Sequence, residues 1–177
     1  MSTESEAERP RVMAGATTDE RDPANWSDEA FAPIQRLLDA SLKRAGQAVR
    51  DTFDHSARQL DARPFVELWN SCRLKAMATT GSSGAPHIAP VHAEFVNGRL
   101  RSTIYDNAVR LSDIRRNPEV ALTTWAANGA TAIIYGRARV LPNTLKDTRP
   151  GATGRERKTV ALEIDIHRIY AMRGRDQ

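Results

Sequence analysis

The chain has 177 residues, of which 40% are hydrophobic and 27% are charged, and its formal net charge is +4. This composition is typical of one globular domain, and no apolar run approaches the ~18 residues of a membrane span. The single cysteine, Cys72, excludes an intrachain disulfide, and the N-terminus lacks the apolar segment of a secretory signal. These features predict a cytoplasmic protein that binds no membrane. The positive net charge alone identifies no anionic partner.

The first 60 residues divide into a polar arm and a helical extension. Residues 1–26 have few apolar residues and no periodicity, so they predict a disordered arm. Residues 27–60 predict a helical extension, in which Ser27 suits an N-cap and Pro33 places the regular helix at or after its own position. The apolar residues that share one face of this helix are Ile34, Leu37, Leu38 and Leu42.

Residues 61–177 change to a pattern of strands and turns, after one short helix that contains Phe65 and Trp69. The Asn97-Gly98 pair is a strong hairpin signal, and a short helix that ends before Pro118 interrupts the strands midway. This order predicts a mainly β fold with flanking helices, built as a small closed or split barrel. The six predicted strands are RLKAMATT, APHIAPVHAEFV, RLRSTIY, VALTTWA, TAIIYGRARVL and TVALEIDIHRIYAM.

The inserted helix, within NAVRLSDIRRNPEVAL at residues 107–122, carries three arginines. Arg110 lies in its first turn, where free backbone N–H groups and the positive end of the helix dipole favour an anion. Arg115 and Arg116 lie near its C-terminus, where cations suit the carbonyl end of the dipole. Spacing alone slightly favours a solvated helix face for all three arginines over an anion site at Arg110.

Motifs for metal binding and nucleophilic catalysis are missing from the sequence. His87 and His92 are five residues apart on one predicted strand, so they point to opposite faces, and no HExxH or CxxC pattern is present. There is also no GxSxG, Walker or GxGxxG motif. We therefore predict no metal site, assign Cys72 to the core, and identify no catalytic residue from motifs.

Two further pairs of strand residues have simple structural interpretations. Trp125 and Tyr135 lie in predicted strands and are expected in the core. Arg137 and Arg139 alternate outward on one strand, where they form either an exposed face or the rim of an anionic groove. Nucleic-acid binding is not expected, because the arm is rich in Asp and Glu and no binding module is recognisable.

Four stretches, in order, resemble the pyridoxamine 5'-phosphate oxidase-like, FMN-binding split-barrel superfamily: MATTGSSGAPHIAPVHAEF, NGRLRSTI, AVRLSDIRRNPEVALTTW and AIIYGRARVL. The resemblance covers roughly residues 62–170. Its most specific positions are Gly84, Pro86, Pro90, Val91, Arg116, Asn117, Pro118, Val120 and Gly136.

The resemblance implies a homodimer of six-stranded split barrels with a flavin in each of two subunit-interface grooves. In the family the flavin ring lies along the second strand, which is residues 89–94 here. The phosphate is held by the third strand and the start of the next helix, where Arg110 takes the place of a gripping lysine. The implied cofactor-binding residues are Ala89, Pro90, Val91, His92, Thr103, Ile104, Arg110 and Thr131.

The chain also departs from the oxidases proper. They have arginine and lysine where this chain has Ala89 and Glu94, and Ser-Arg where it has Ala108-Val109. Their C-terminal Trp and Arg have no counterpart here, which argues against pyridoxamine phosphate oxidation.

The resemblance therefore implies an FMN-binding oxidoreductase that transfers hydride to or from a small organic substrate. The alternatives are a reductase that uses a deazaflavin coenzyme on the same barrel and a non-catalytic haem- or flavin-binding protein. His92 is the only nearby candidate for proton donation.

Overall fold

The computed structural model describes residues 19–53, 58–142, 144, 146–147 and 158–174. Most of the predicted arm, residues 1–18, therefore lies outside the described residues, as does much of the charged loop before the last strand. The helices are α1 (Asp28–Lys43), α2 (Gln47–Phe53), α3 (Ala62–Ser71) and α4 (Val109–Arg116). The strands are β1 (Lys75–Thr80), β2 (Pro86–Val91), β3 (Ala93–Val96), β4 (Arg99–Tyr105), β5 (Glu119–Trp125), β6 (Thr131–Val140), β7 (Lys146–Asp147) and β8 (Lys158–Met172).

The described strands form one antiparallel sheet in the order β2-β1-β5-β6-β8-β4-β3, with β7 beside β8. β2 and β3 lie at opposite ends of this order, yet only His92 separates them in the sequence. The sheet must therefore curl until its two ends meet at His92, which closes it into a barrel.

The predicted fold class, a mainly β split barrel with flanking helices, is confirmed, although the number of strands differs. The second predicted strand is divided at His92, where the chain leaves the β1 edge and joins β4. The His92 carbonyl accepts a hydrogen bond from the Ser102 hydroxyl at 2.7 Å, which holds this corner. The two-residue strand β7 is the other addition.

The N-terminal helix starts earlier than predicted and is interrupted. α1 begins at Asp28, so Pro33 lies inside it rather than at its start. Proline is tolerated there because the carbonyl that loses its partner belongs to Glu29, an exposed residue of the first turn. Gly46 lies in the break between α1 and α2, so the apolar stripe does not continue as one helix.

α1 and α3 share one hydrophobic core with the barrel. Trp26, Phe31 and Ile34 belong to the same buried cluster as inward-facing strand residues such as Met77 and Leu162. The predicted division of the chain at residues 26 and 60 stays a prediction. Within the described residues, however, the helical extension buries its apolar face on the barrel.

We expect the Trp26→Ala substitution to lower the free energy of unfolding by about 3 kcal/mol, a typical cost for a buried tryptophan. Trp26 is buried, and its indole N–H donates to the Glu20 carbonyl at 2.7 Å. The same carbonyl accepts from the Asn97 amide at 3.0 Å, which ties this segment to the β3–β4 turn. Urea unfolding measures the effect, with Arg36→Ala, at an exposed position of α1, as the control. Equal stability of the two variants would contradict the docking of this segment.

Candidate functional site

An open groove of about 1140 Å³ follows the outer face of the sheet beside the corner at His92. Along β4, exposed Arg101, Thr103 and Tyr105 alternate with buried neighbours, so these three side chains form one outward row. The residues that line the groove are Asp19, Glu20, Arg21, His92, Glu94, Val96, Arg101, Ser102, Thr103 and Ala161.

The cofactor-binding residues that were predicted on the second and third strands lie close together at this corner. His92 and Thr103 both line the groove. Val91 and Ile104 have buried side chains, so only their backbone atoms are available to a ligand. Ala89 and Pro90, which lie within β2 just before Val91, are half-buried and exposed respectively. The structure thus brings the two predicted strand segments together at one end of the groove.

Thr131 lies apart from this group, three strands across the sheet from His92, or roughly 14 Å. Its hydroxyl donates to the Thr124 carbonyl at 3.0 Å, within its own hairpin. Trp125 pairs with Thr131, and Leu74 accepts a hydrogen bond from the Thr124 hydroxyl. Both apolar side chains are exposed, Leu74 at 54% and Trp125 at 65%. The expectation that Trp125 lies in the core is therefore wrong, because it occupies an outward position of β5.

Arg110 lies in the first turn of α4. Its Nε atom is buried and has no hydrogen-bond partner among the described residues. An unpaired buried N–H is costly, and it is more so on a charged group. No side chain caps this end of α4, because the N-cap residue is Ala108. An anion bound at this turn would satisfy the guanidinium, and the structure therefore fits the phosphate role that the resemblance implies.

Asp113 holds α4 against the barrel. Its buried carboxylate accepts from the Thr79 hydroxyl at 2.9 Å, lies 2.7 Å from His87 Nδ1, and accepts from Arg116 at 2.9 Å. Arg116 also donates to the Thr80 carbonyl at 3.1 Å. These contacts fix the helix that carries Arg110. Apart from one acidic residue among three arginines, no sequence pattern indicates these contacts of Asp113.

The pKa of Asp113 is held below its ordinary range, first by the hydrogen bond from His87 and then by those from Thr79 and Arg116, which outweigh burial. A lowered folded-state pKa adds stability above the unfolded-state pKa of about 4, and this stability is lost as the pH falls through the folded-state value.

We therefore expect Asp113→Asn to lower the melting temperature at pH 7, and the gap from the wild type to narrow as the solution is acidified below about pH 4. Thermal melts over a pH series measure this difference in melting temperature, with Asp106→Asn, at an exposed residue, as the control. A gap that stays constant down to low pH would contradict the ionised role of Asp113.

Comparison with known proteins identifies the fold. No protein-family model matches the chain. No curated protein matches it either. Among solved structures, conserved hypothetical protein Rv2991 from Mycobacterium tuberculosis matches with a TM-score of 0.55 at 15% identity, over 67% of this chain and 88% of that one.

Two other structures match with a TM-score of 0.50 and 16% identity. One is an F420 reductase, matched over 59% of this chain and 94% of its own. The other is General Stress Protein 26 from Bacillus anthracis, matched over 63% of this chain and 92% of its own. The chain shares its split-barrel fold with these structures. At this level of sequence identity the similarity establishes the fold and does not identify a ligand.

In this split barrel Glu94, which stands where the oxidases have a lysine, has a partner of its own. Glu94 lies 3.4 Å from Arg21, so it forms an ion pair at the groove. Behind it, Lys75 is buried and donates to the Cys72 carbonyl, and its Nζ lies 5.6 Å from the centre of the Trp69 ring. Burial lowers the pKa of Lys75, and Cys72 and Glu94 oppose this shift. Cys72 itself caps α3 and is only half-buried, which corrects its assignment to the core.

Two general features complete the description of the split barrel. No helix in the described part of the chain is both long enough and apolar enough to cross a membrane. Among the same residues, no group of three or more His, Cys, Asp or Glu side chains is placed to hold a metal ion.

Proposed function

We propose that the protein is a flavin-dependent oxidoreductase that binds FMN and transfers hydride to or from a small organic substrate. The observation that carries the proposal is the buried, unpaired Nε of Arg110 at the start of α4. Arg110 lies in α4, the helix that follows β4. The outward row of β4 side chains runs along the groove. A bound flavin would supply the hydride chemistry.

Arg110 would hold the phosphate, and the backbone of residues 89–92 would hold the flavin ring. β2 pairs with β1 on one side only, so part of its backbone N–H and C=O groups point away from the sheet. A backbone contact needs no particular side chain, so Ala89 is compatible with it, and Pro90, which has no N–H, could contribute its carbonyl. His92 is exposed at the corner, where its Nδ1 lies 3.1 Å from the Arg73 carbonyl. If that nitrogen carries the proton, Nε2 is the acceptor on this ring.

We also propose that the protein is a homodimer. Ile88 of β2 and Trp125 of β5 expose 72% and 65% of their surface on the outer face of the sheet, and Leu74, just before β1, exposes 54%. Large exposed apolar residues on one face are typical of a protein interface. A second copy would cover them beside the proposed ring position.

We expect Ile88→Glu to convert the dimer to a monomer and to weaken FMN binding, because it places a charge in the apolar contact. Light scattering at micromolar concentration measures the assembly state. Ala127→Glu, at an exposed turn position, is the control for added charge. A monomeric wild type, or an unchanged dimer in the Ile88→Glu variant, would contradict the proposal.

A reductase that uses a deazaflavin coenzyme is the second candidate. Its support is the fold match to an F420 reductase, together with Ala108-Val109 in place of the Ser-Arg pair of the oxidases. An absorption spectrum of the purified protein, followed by titration with FMN and with the deazaflavin, separates the two. A Soret band would instead favour haem binding. A colourless protein that binds neither flavin would overturn the proposed function.

A further inference from the structure

Asp113 has an arginine three residues away on each side of it along α4. Arg110 precedes it and Arg116 follows it, and side chains three residues apart on a helix are neighbours that can form an ion pair. The Asp113 carboxylate pairs with Arg116 at 2.9 Å. The buried Nε of Arg110 has no hydrogen-bond partner among the described residues. One carboxylate thus has two arginines at equal spacing, and it pairs with only one of them.

Contacts from β1 and β2 explain this choice. The Thr79 hydroxyl donates to Asp113 Oδ2 at 2.9 Å, and His87 Nδ1 lies 2.7 Å from the same oxygen. Arg116 donates to the other oxygen, Oδ1. The lowered pKa of Asp113 keeps it ionised at neutral pH, and a carboxylate only accepts hydrogen bonds, so His87 Nδ1 carries the proton and donates. Both carboxylate oxygens therefore have donors, and Arg110 is not among them.

His87 is held in the orientation that this contact needs. It supplies the one hydrogen bond between β2 and α4 in the described part of the chain, since α4 packs mainly on β1 and β6. Gly81 lies between β1 and β2, and a Cβ atom there would be 2.8 Å from His87 Cε1 and 3.0 Å from Nε2. The imidazole ring therefore lies between Gly81 and Asp113, with its Nδ1 edge toward the carboxylate.

A carboxylate released from these donors would have Arg110 as its nearest alternative along the helix. The Cα–Cβ bonds of a helix tilt toward its N-terminus, so the Asp113 side chain leans toward the turn that carries Arg110. A bond between the two would occupy the guanidinium N–H that now lacks a partner. The negative charge would also repel any other anion at the start of α4. Such a pair would close the anion site from within the chain.

We propose that His87 is a positioning residue that holds the Asp113 carboxylate away from Arg110 and so keeps Arg110 open to an anion. The inference rests on the proposed phosphate role of Arg110, and it requires no contact between His87 and the anion. It predicts opposite effects for the two members of the pair. Loss of His87 weakens anion binding, whereas loss of the Asp113 charge does not.

The first test is fluorescence titration of FMN and riboflavin against variants of His87. His87→Leu removes the donor and is expected to weaken FMN binding roughly three- to tenfold, less than the loss of Arg110, because Thr79 and Arg116 still bind the carboxylate. Riboflavin binding should stay unchanged. His87→Asn is the matched control, because its amide nitrogen replaces Nδ1 in a side chain of similar shape to leucine, and it should bind FMN like the wild type. The His87 side chain is 44% exposed, so both variants should fold, which near-UV circular dichroism checks.

Asp113→Asn separates competition for Arg110 from simple anchoring of α4. Alone or combined with His87→Leu, it is expected to bind FMN at least as tightly as the wild type, because no charge then competes for Arg110. If His87 only anchored α4, Asp113→Asn would weaken FMN binding at least as much as His87→Leu, because it alters all three contacts of the carboxylate. That result, or unchanged FMN binding in the His87→Leu variant, would overturn the proposal. Each titration is made well below the melting temperature of the variant.

A crystal structure of the ligand-free His87→Leu variant tests the inference without a flavin. We expect the Asp113 carboxylate to lie within salt-bridge distance of Arg110, about 4 Å, at full or partial occupancy. In the His87→Asn variant it should stay with Thr79 and Arg116. A carboxylate that does not move in the His87→Leu variant contradicts the proposal. If it moves, but the wild type binds FMN no more tightly than riboflavin, then the proposed flavin-phosphate role is wrong and the choice of Asp113 between two arginines stands.

Discussion

Replacing Arg110 with alanine is expected to weaken FMN binding roughly ten- to a hundredfold and to leave riboflavin binding almost unchanged. Arg110 Nε is buried without a partner in the described part of the chain, so it is available to a phosphate. A hydrogen bond between charged groups contributes about 1.5–3 kcal/mol, and about 1.4 kcal/mol corresponds to a factor of ten in affinity. Riboflavin lacks the phosphate, so its affinity should not depend on the Arg110 guanidinium. Fluorescence titration of both flavins measures the two affinities.

Arg115→Ala is the matched control for this experiment. Arg115 lies in the last turn of the same helix and is exposed, so its loss removes the same charge without touching the first turn. Arg116→Ala is a less suitable control, because Arg116 binds Asp113 and the Thr80 carbonyl and therefore affects the position of α4. Equal losses for FMN and riboflavin, or equal losses in the Arg110 and Arg115 variants, would show a diffuse effect and would contradict a phosphate site at Arg110.

Much of the fold could be predicted because its signals are local. The Asn97-Gly98 turn has positive φ at both residues, 45° and 77°, as a tight hairpin requires, and few residue pairs adopt this conformation easily. Alternating apolar residues likewise predicted the long strands. The elements that were missed depend on partners distant in the sequence. The division at His92 exists because β2 and β3 join different neighbours, and no local pattern encodes that choice.

The bulge between β6 and β8 is another feature of this kind. Tyr135 pairs with Arg168 and Gly136 with Ile166, so His167 is an extra residue that shifts the inward alternation. A side chain at Gly136 would lie 2.7 Å from the Asp165 carbonyl oxygen, so the close approach of the two strands requires glycine. The glycine is visible in the sequence, but the bulge it permits is not.

The residues of the candidate site likewise include some that local sequence predicts and others that only strand pairing brings together. The place of Arg110 in the first turn of a short helix was predicted, because a helix start is a local feature. Spacing alone favoured a solvated helix face for it, and the resemblance implied the phosphate role. The contacts of Glu163 were not predicted, since only the register of three strands brings Arg99, Arg101 and Arg139 to it. The sequence did show Arg137 and Arg139 as an outward pair. It could not show that Arg137 pairs with Glu119 whereas Arg139 pairs with Glu163.

Replacing Trp69 with alanine is expected to lower the free energy of unfolding by about 3–5 kcal/mol, a large share of the roughly 5–15 kcal/mol that stabilises a typical domain. Trp69 is fully buried between α3 and the barrel. Its ring centre lies 6.1 Å from that of Phe65 and 6.2 Å from that of Phe95. Alanine would leave a cavity between Phe65 of α3 and Phe95 of β3, two buried rings that pack against each other and cannot readily move to fill it. Urea unfolding measures the change, and Val109→Ala, at an exposed apolar residue outside the proposed dimer contact, is the control.

The Trp69→Phe variant separates packing from hydrogen bonding. Phenylalanine retains most of the ring but removes the indole N–H, which donates to the buried Ala93 carbonyl at 3.0 Å. Loss of that bond is expected to cost about 1–3 kcal/mol, because the carbonyl loses its partner away from water. Ala93 directly follows His92, where the two ends of the sheet meet. If the flavin ring lies along residues 89–92, the folded Trp69→Phe variant should bind FMN and riboflavin more weakly by the same factor, since the corner positions the ring and not the phosphate. A variant that loses stability but binds both flavins normally would show that Trp69 supports the core without positioning the corner.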